Sequence, residues 1–221
     1  MGDVPIGVIF DMDGVLVDSA EAHLWSWQAL ARRRGVELTR EQFARTFGMR
    51  SSEIITRLFG VSDEAEIHRL DHDKESIYRD HIRHRVPEMP GAVQLVRGLH
   101  AAGLRIAIGS SGPPENVNLV CEDLAINPFI DVIVTGRDVQ RGKPDPQVFQ
   151  IAGKRMSLAP ARCVVVEDAP AGIEAARRAE MHSIGLTGMH NADALAAADR
   201  VITSLHEISS SLIRELVPSA V

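Results

Sequence analysis

Asp11 and Asp13 stand one residue apart just after the apolar run Ile6–Phe10, and Glu167 and Asp168 stand side by side after the run Cys163–Val166. Acids set so close repel one another and hold a proton between them unless a cation is present. A hard divalent cation with oxygen ligands is the natural partner, and Mg²⁺ suits such a set. Ser110 and Ser111 follow a third apolar run, Leu104–Gly109. A hydroxyl and adjacent backbone N–H groups at a strand end, ahead of a helix start, make a cradle for a phosphate. Lys143 lies in the string RGKPDPQVF, in a loop stiffened by Pro144 and Pro146, where it offers a point charge to a phosphoryl group. Taken singly, each feature has a plainer reading. Asp and Gly favour turns, Ser caps helices, and acids settle at helix N-termini. None of these explains why two separate apolar runs both end in paired acids.

The elements that must position these residues are legible in the hydrophobic pattern. Short apolar runs of this kind, bounded by Pro, Gly or acids, read as strands buried on both faces. From Met89 onward strands and helices alternate. Helices are expected over 90–102, 113–124, 146–156 and 170–180, and strands over 104–109, 131–135, 162–166, 183–186 and 199–202. This alternation predicts a doubly wound, Rossmann-like α/β core, a parallel sheet covered by helices on both faces. Acids that follow such strands lie at the carboxyl edge, where open α/β sheets hold their ligands. Between Asp18 and Arg85 nothing alternates with period two. Three-to-four spacing (His23, Trp27, Leu30), a capping box at Thr39 and Gln42, the run Ser51–Phe59 and a long charged helix over 63–84 predict an all-helical insert. The expected division is therefore 1–17 with 87–221 as α/β core and 18–86 as helical cap.

The chain of 221 residues has room for one or two domains with an ample core. Its net charge of −6 argues against bulk attraction to nucleic acid or an anionic membrane. No run approaches a membrane span, and no charged leader followed by an apolar core opens the chain. Cys121 and Cys163 make no metal-type spacing and read as buried free thiols, which fits a reducing cytoplasm. A monomer or weak homodimer is expected.

The four stretches together resemble, in order, the four motifs of the haloacid dehalogenase superfamily: DMDGVLVDS from Asp11, Ser110 after the second strand, GKPDPQVF around Lys143, and EDAPAG from Glu167. The resemblance implies that Asp11 is a nucleophile forming an aspartyl-phosphate. It makes Asp13 the general acid and base, Ser110 and Lys143 the binders of the phosphoryl oxygens, and Ser111 part of the same cradle. Mg²⁺ would be held by Asp11, the backbone carbonyl of Asp13, Asp168 and Glu167. An insert between the first two motifs marks the cap type of the phosphoglycolate phosphatase and β-phosphoglucomutase branch, well placed to close over the acids.

Within the cap the match is partial. His23, Ser19 and Lys74 fall where β-phosphoglucomutases carry residues that order the cap or reach the substrate. Those mutases hold an Arg for the second phosphate where this chain has Ser51, with Arg50 one residue earlier. A mutase needs two phosphate sites and a phosphatase only one. The expected activity is therefore hydrolysis of a small phosphorylated metabolite, with a β-phosphoglucomutase as the alternative. A dehalogenase would not need Asp13, and a non-catalytic binding member would have lost an acid that is present here.

Overall fold

The computed structural model describes residues 5–46 and 51–217. The chain forms two compact units, Met1–Asp18 with Pro87–Val221, and Ser19–Val86. Asp18, counted above with the helical insert, groups with the sheet, and its N–H donates to the Pro87 carbonyl at 2.8 Å.

The first unit is a parallel sheet of six strands: β1 (Gly7–Phe10), β2 (Arg105–Gly109), β3 (Val132–Val134), β4 (Cys163–Glu167), β5 (His182–Leu186) and β6 (Arg200–Ile202). Their spatial order is β3-β2-β1-β4-β5-β6, with every pair parallel. Strand order reverses between β1 and β4, so the crevice for a ligand opens at their carboxyl ends. Val8, Ile9 and Phe10 have no exposed surface, as a strand covered on both faces requires. Burying each such side chain contributes about 1.5–3 kcal/mol. On one face Ile9, Ala107, Val134 and Val165 pack with helices α7 (Gln147–Arg155) and α8 (Pro170–Arg178) through Phe149, Ala152, Ala175 and Ala176. In chain order the unit also holds α5 (Ala92–Ala101), α6 (Pro114–Asp123) and a closing α9 (Ser210–Leu216).

The second unit consists of α1 (Ala20–Arg33), α2 (Arg40–Ala44), α3 (Ser51–Phe59) and α4 (Glu64–Ile82). Thr39 and Gln42 form the expected capping box, each side chain taking the other's backbone N–H at 3.1 and 2.9 Å. Asp63 caps α4 by accepting from the Glu66 N–H at 2.8 Å. Trp27, Leu30, Phe43, Ile55, Leu70 and Ile77 lie in its core. No helix among the described residues is long and apolar enough to cross a membrane.

Candidate active site

Backbone register brings the first and last acid pairs together. Phe10 pairs with Val166, and the ladder continues with the Asp11 N–H donating to the Val166 carbonyl at 2.9 Å. Asp11 thus leaves β1 beside the end of β4, where Glu167 and Asp168 stand. Carboxylate oxygens of Asp11, Glu167 and Asp168 all lie within 4.8 Å of one another. The carboxylate of Asp13 does not belong to this group; its part in the expected metal set is its backbone carbonyl.

Two glycines make this convergence possible. Gly14 has a φ of +80°, and a Cβ there would stand 2.1 Å from Asp168 Oδ2. A Cβ on Gly172, in the first turns of α8, would stand 1.9 Å from Glu167 Cδ and Oε1. Both contacts are far inside van der Waals distance, so any larger residue would push an acid out of place.

Lys143 ties the cluster together. Its Nζ donates to Asp11 Oδ1 at 2.5 Å and to Glu167 Oε1 at 2.6 Å, with its side chain about 10% exposed. The ammonium also sits 4.9 Å from the centre of the Phe149 ring, a cation–π contact. Glu167 Oε2 accepts from the Ala169 N–H at 2.8 Å. Burial alone would lower the Lys143 pKa, but the charges of Asp11 and Glu167 overrule it and hold the amine protonated. Burial is also the largest influence on Asp11, raising its pKa to about 7. Lys143 pulls the other way, and Glu167 and Asp13 push further up. Asp168 is raised to about 8 by burial and then by the charges of Glu167 and Asp11. One cation against three converging acids leaves an excess of negative charge. An all-oxygen donor set with this excess fits a hard divalent ion.

Ser110 follows β2, fully buried, with its N–H bonded to the Val134 carbonyl at 3.0 Å. Its Oγ accepts from the Gly112 N–H at 3.0 Å, so the hydroxyl hydrogen can still be donated elsewhere. Ser111 is exposed. Ser110, Asp11 and Glu167 therefore stand at the carboxyl ends of three adjacent strands, β2, β1 and β4.

In the helical unit, Lys74 is buried with an ammonium that donates to His23 Nδ1 at 2.9 Å and to Glu75 Oε1 at 2.7 Å. His23 stacks on Tyr78, ring centres 4.2 Å apart and 8° from parallel. The same ammonium lies 5.5 Å from the Trp27 ring and 5.4 Å from that of Tyr78. Ser51 opens α3, half-buried, and its side chain hydrogen-bonds the carboxylate of Asp71. Arg50 lies outside the described residues.

The family model for haloacid dehalogenase-like hydrolases matches residues 8–186, from β1 to the end of β5. The chain belongs to the haloacid dehalogenase-like hydrolases. Among its relatives is validoxylamine A 7′-phosphate phosphatase of Streptomyces hygroscopicus subsp. limoneus, 31% identical over 206 residues, covering 90% of this chain and 94% of the other. Hexitol phosphatase A of Escherichia coli K12 is 33% identical over 207 residues, covering 92% and 93%. Among solved structures, a β-phosphoglucomutase from Clostridium difficile superposes with a TM-score of 0.81 at 27% identity, covering 97% of each chain.

In this haloacid dehalogenase-like hydrolase, several neighbours of the expected residues escaped the sequence reading. Gly14 reads as a turn residue; its second use, leaving room for Asp168, depends on the approach of β4 and is invisible in one dimension. Phe149 reads as the apolar end of the GKPDPQVF string, and only the fold shows it beneath the Lys143 ammonium. Glu75 and Asp71 look like members of a solvated charged face, yet Glu75 holds Lys74, and Asp71 Oδ1 is buried.

Proposed function

We propose that this hydrolase is a phosphatase acting on a small phosphate monoester, with residues 1–18 and 87–221 supplying the chemistry and residues 19–86 serving as a substrate-selecting cap. The observation that carries the reading is the Lys143 ammonium held between Asp11 and Glu167, with Asp168 adjoining, at the point where strand order reverses. The phosphatase names of two relatives support it.

In this reading a carboxylate oxygen of Asp11 attacks phosphorus, and the bond from phosphorus to the leaving oxygen breaks. Asp13 gives that oxygen its proton. Lys143 neutralises charge on Asp11 and on the transferring phosphoryl, and the Ser110 hydroxyl donates to a phosphoryl oxygen. Water then attacks the aspartyl-phosphate while Asp13 takes its proton, and the bond from phosphorus to the Asp11 oxygen breaks to release inorganic phosphate. Asp11, Asp168, Glu167 and the Asp13 carbonyl would hold Mg²⁺, which when bound neutralises phosphoryl charge and orients the ester. The reaction is assigned to the cytoplasm. There the buried thiols Cys121 and Cys163, pushed up to about 12 and about 11 by burial, stay reduced and inert.

The metal assignment has a consequence for stability. Asp11 and Asp168 keep protons in the folded state up to about pH 7 and 8, whereas the unfolded chain loses them near pH 4. Between those limits the folded state binds more protons, so the metal-free protein becomes less stable as pH rises. Mg²⁺ takes the place of those protons. Thermal melts at several pH values are expected to show a larger rise in Tm with Mg²⁺ at pH 8 than at pH 5.5. A rise that is absent, or equal at both, refutes the assignment.

The structural likeness to a β-phosphoglucomutase makes isomerisation the second reading. A screen of phosphate esters with Mg²⁺ separates the two, following free phosphate and glucose 6-phosphate together. Hydrolysis predicts free phosphate without appreciable isomerisation of β-glucose 1-phosphate, whether or not glucose 1,6-bisphosphate is added. Bisphosphate-primed formation of glucose 6-phosphate, faster than phosphate release, would replace the phosphatase with the mutase.

A further inference from the structure

The loop that carries Lys143 is closed by a side chain of the helix that follows it. Gln147 is the first residue of α7, and its Oε1 accepts the Gln140 N–H at 2.6 Å and the Arg141 N–H at 3.3 Å. Both donors precede Lys143 in the chain and the acceptor follows it, so these bonds span the lysine. A glutamine oxygen has two lone pairs, and here each meets a loop N–H rather than an N–H of its own helix. Inside this closure the Asp145 N–H donates to the Gly142 carbonyl at 3.0 Å, which makes a turn with Lys143 at its second position. Asp145 also accepts the Gln147 N–H at 3.1 Å and pairs with Arg141 at 2.6 Å. Arg141 is exposed, and ion pairs in such places contribute little, so the Gln147 amide is the firmer closure. It also reaches from a fixed base. Val148 and Phe149, the next two residues, are buried in the core of the sheet unit, and Phe149 underlies the Lys143 ammonium.

We propose that Gln147 is a positioning residue for phosphoryl transfer: its side-chain oxygen holds the loop in the shape that keeps the Lys143 ammonium between Asp11 and Glu167. The inference rests on the role given to Lys143 in the phosphatase reading above. Lysine is a point charge on a flexible stem, so the place of its charge depends on the backbone that carries it. A displacement of about 1 Å near reacting atoms costs as much as a hundredfold in rate. Met in place of Gln147 keeps much of the side chain's length and removes the acceptor, whereas Glu keeps an acceptor.

The test measures kcat and KM, per folded molecule, in the full-length protein with Mg²⁺ and the fastest ester of the screen described above. Gln147→Met should lower kcat and kcat/KM together by about tenfold or more, with KM little changed. Gln147→Glu should stay within about threefold of wild type, since a carboxylate oxygen accepts the same two N–H groups. In a Lys143→Met background, Gln147→Met should lower kcat by less than about threefold, because a residue that acts through Lys143 has nothing left to position. Amide hydrogen exchange at Gln140 and Arg141 should be faster in Gln147→Met than in wild type. Gln147→Ala serves if the Met variant folds poorly. A smaller loss in the single variant, the same factor lost in both backgrounds, a Glu variant no faster than Met, or unchanged exchange each overturns the inference and leaves the phosphatase standing. A wild type inert toward every ester removes the phosphatase reading, and this inference falls with it.

Discussion

Replacing Asp11 by Asn is expected to lower kcat by at least about a thousandfold while leaving the protein folded. An amide cannot supply the oxygen nucleophile, and neither of the two acids clustered with it can stand in. Glu167 is occupied on both oxygens, by Lys143 and by the Ala169 N–H, and Asp168 leaves a different strand. The stability side of the same variant is as informative. Asp11 is one of three clustered acids, two of which share one ammonium, and burial raises its pKa to about 7. Above that pH the fold carries its charge at a cost, and Asn removes the charge without changing the side chain's size. Lys143 keeps Glu167 as a partner. At pH 8 without metal the variant should therefore melt at or above the temperature of wild type. Steady-state phosphate release and a thermal melt read the two effects separately. A kcat within tenfold of wild type would sink the nucleophile assignment. A large loss of stability would show that Asp11 is needed to hold the fold.

The alternating strands and helices were legible because each central strand is apolar on both faces and each ends in punctuation. Expected bounds differ from the observed ones by a residue or so, as at 162–166 against Cys163–Glu167. The hydrophobic pattern does not predict the final helix, Ser210–Leu216. It is short, its one buried residue is Ile213, and its cap, Ser209 accepting from the Leu212 N–H, lies in a run of three serines. The sequence pattern predicts that the long cap helix runs to His84, but His84 has a φ of 61°, and α4 ends at Ile82. The acids and Lys143 could be singled out because their spacing after apolar runs is unusual. What could not be read is any property created by strands distant in sequence. The two bonds of Lys143 join positions 132 and 24 residues away. The space that Gly172 leaves for Glu167 likewise depends on how α8 starts after β4. The burial of Asp71 Oδ1 is hidden from the sequence for a related reason: α4 is so rich in charge that its acids read as a solvated face.

Lys143→Met separates a lysine that merely holds the sheet edge from one that also serves the reaction, and it should fail on both counts. Met keeps much of the apolar stem but removes the ammonium from between Asp11 and Glu167. Two buried carboxylates then face each other and Asp168 with no cation among the described side chains bonded to them. Removing one partner of a buried ion pair costs about 3–5 kcal/mol, and a chain of this size loses about 2–4 °C of Tm for each kcal/mol. The destabilisation should be greatest at neutral to alkaline pH. It should shrink toward pH 5, where Asp11 and Asp168 hold protons and the repulsion is partly discharged. Adding Mg²⁺ should restore part of the stability, since a cation again sits among the acids. It should not restore turnover. Losing a charged donor aimed at the phosphoryl lowers kcat by about 10²–10³, and an ion bound elsewhere in the cluster does not occupy the position of that ammonium. Melting curves across pH, with and without Mg²⁺, and kcat per folded molecule at a temperature where the variant is native check the two claims independently. Loss of stability with kcat per folded molecule unchanged would make Lys143 a structural residue alone. A Tm within 2 °C of wild type at pH 7.5 would instead mean that the acids do not need its charge, as expected if a tightly held metal already satisfies them.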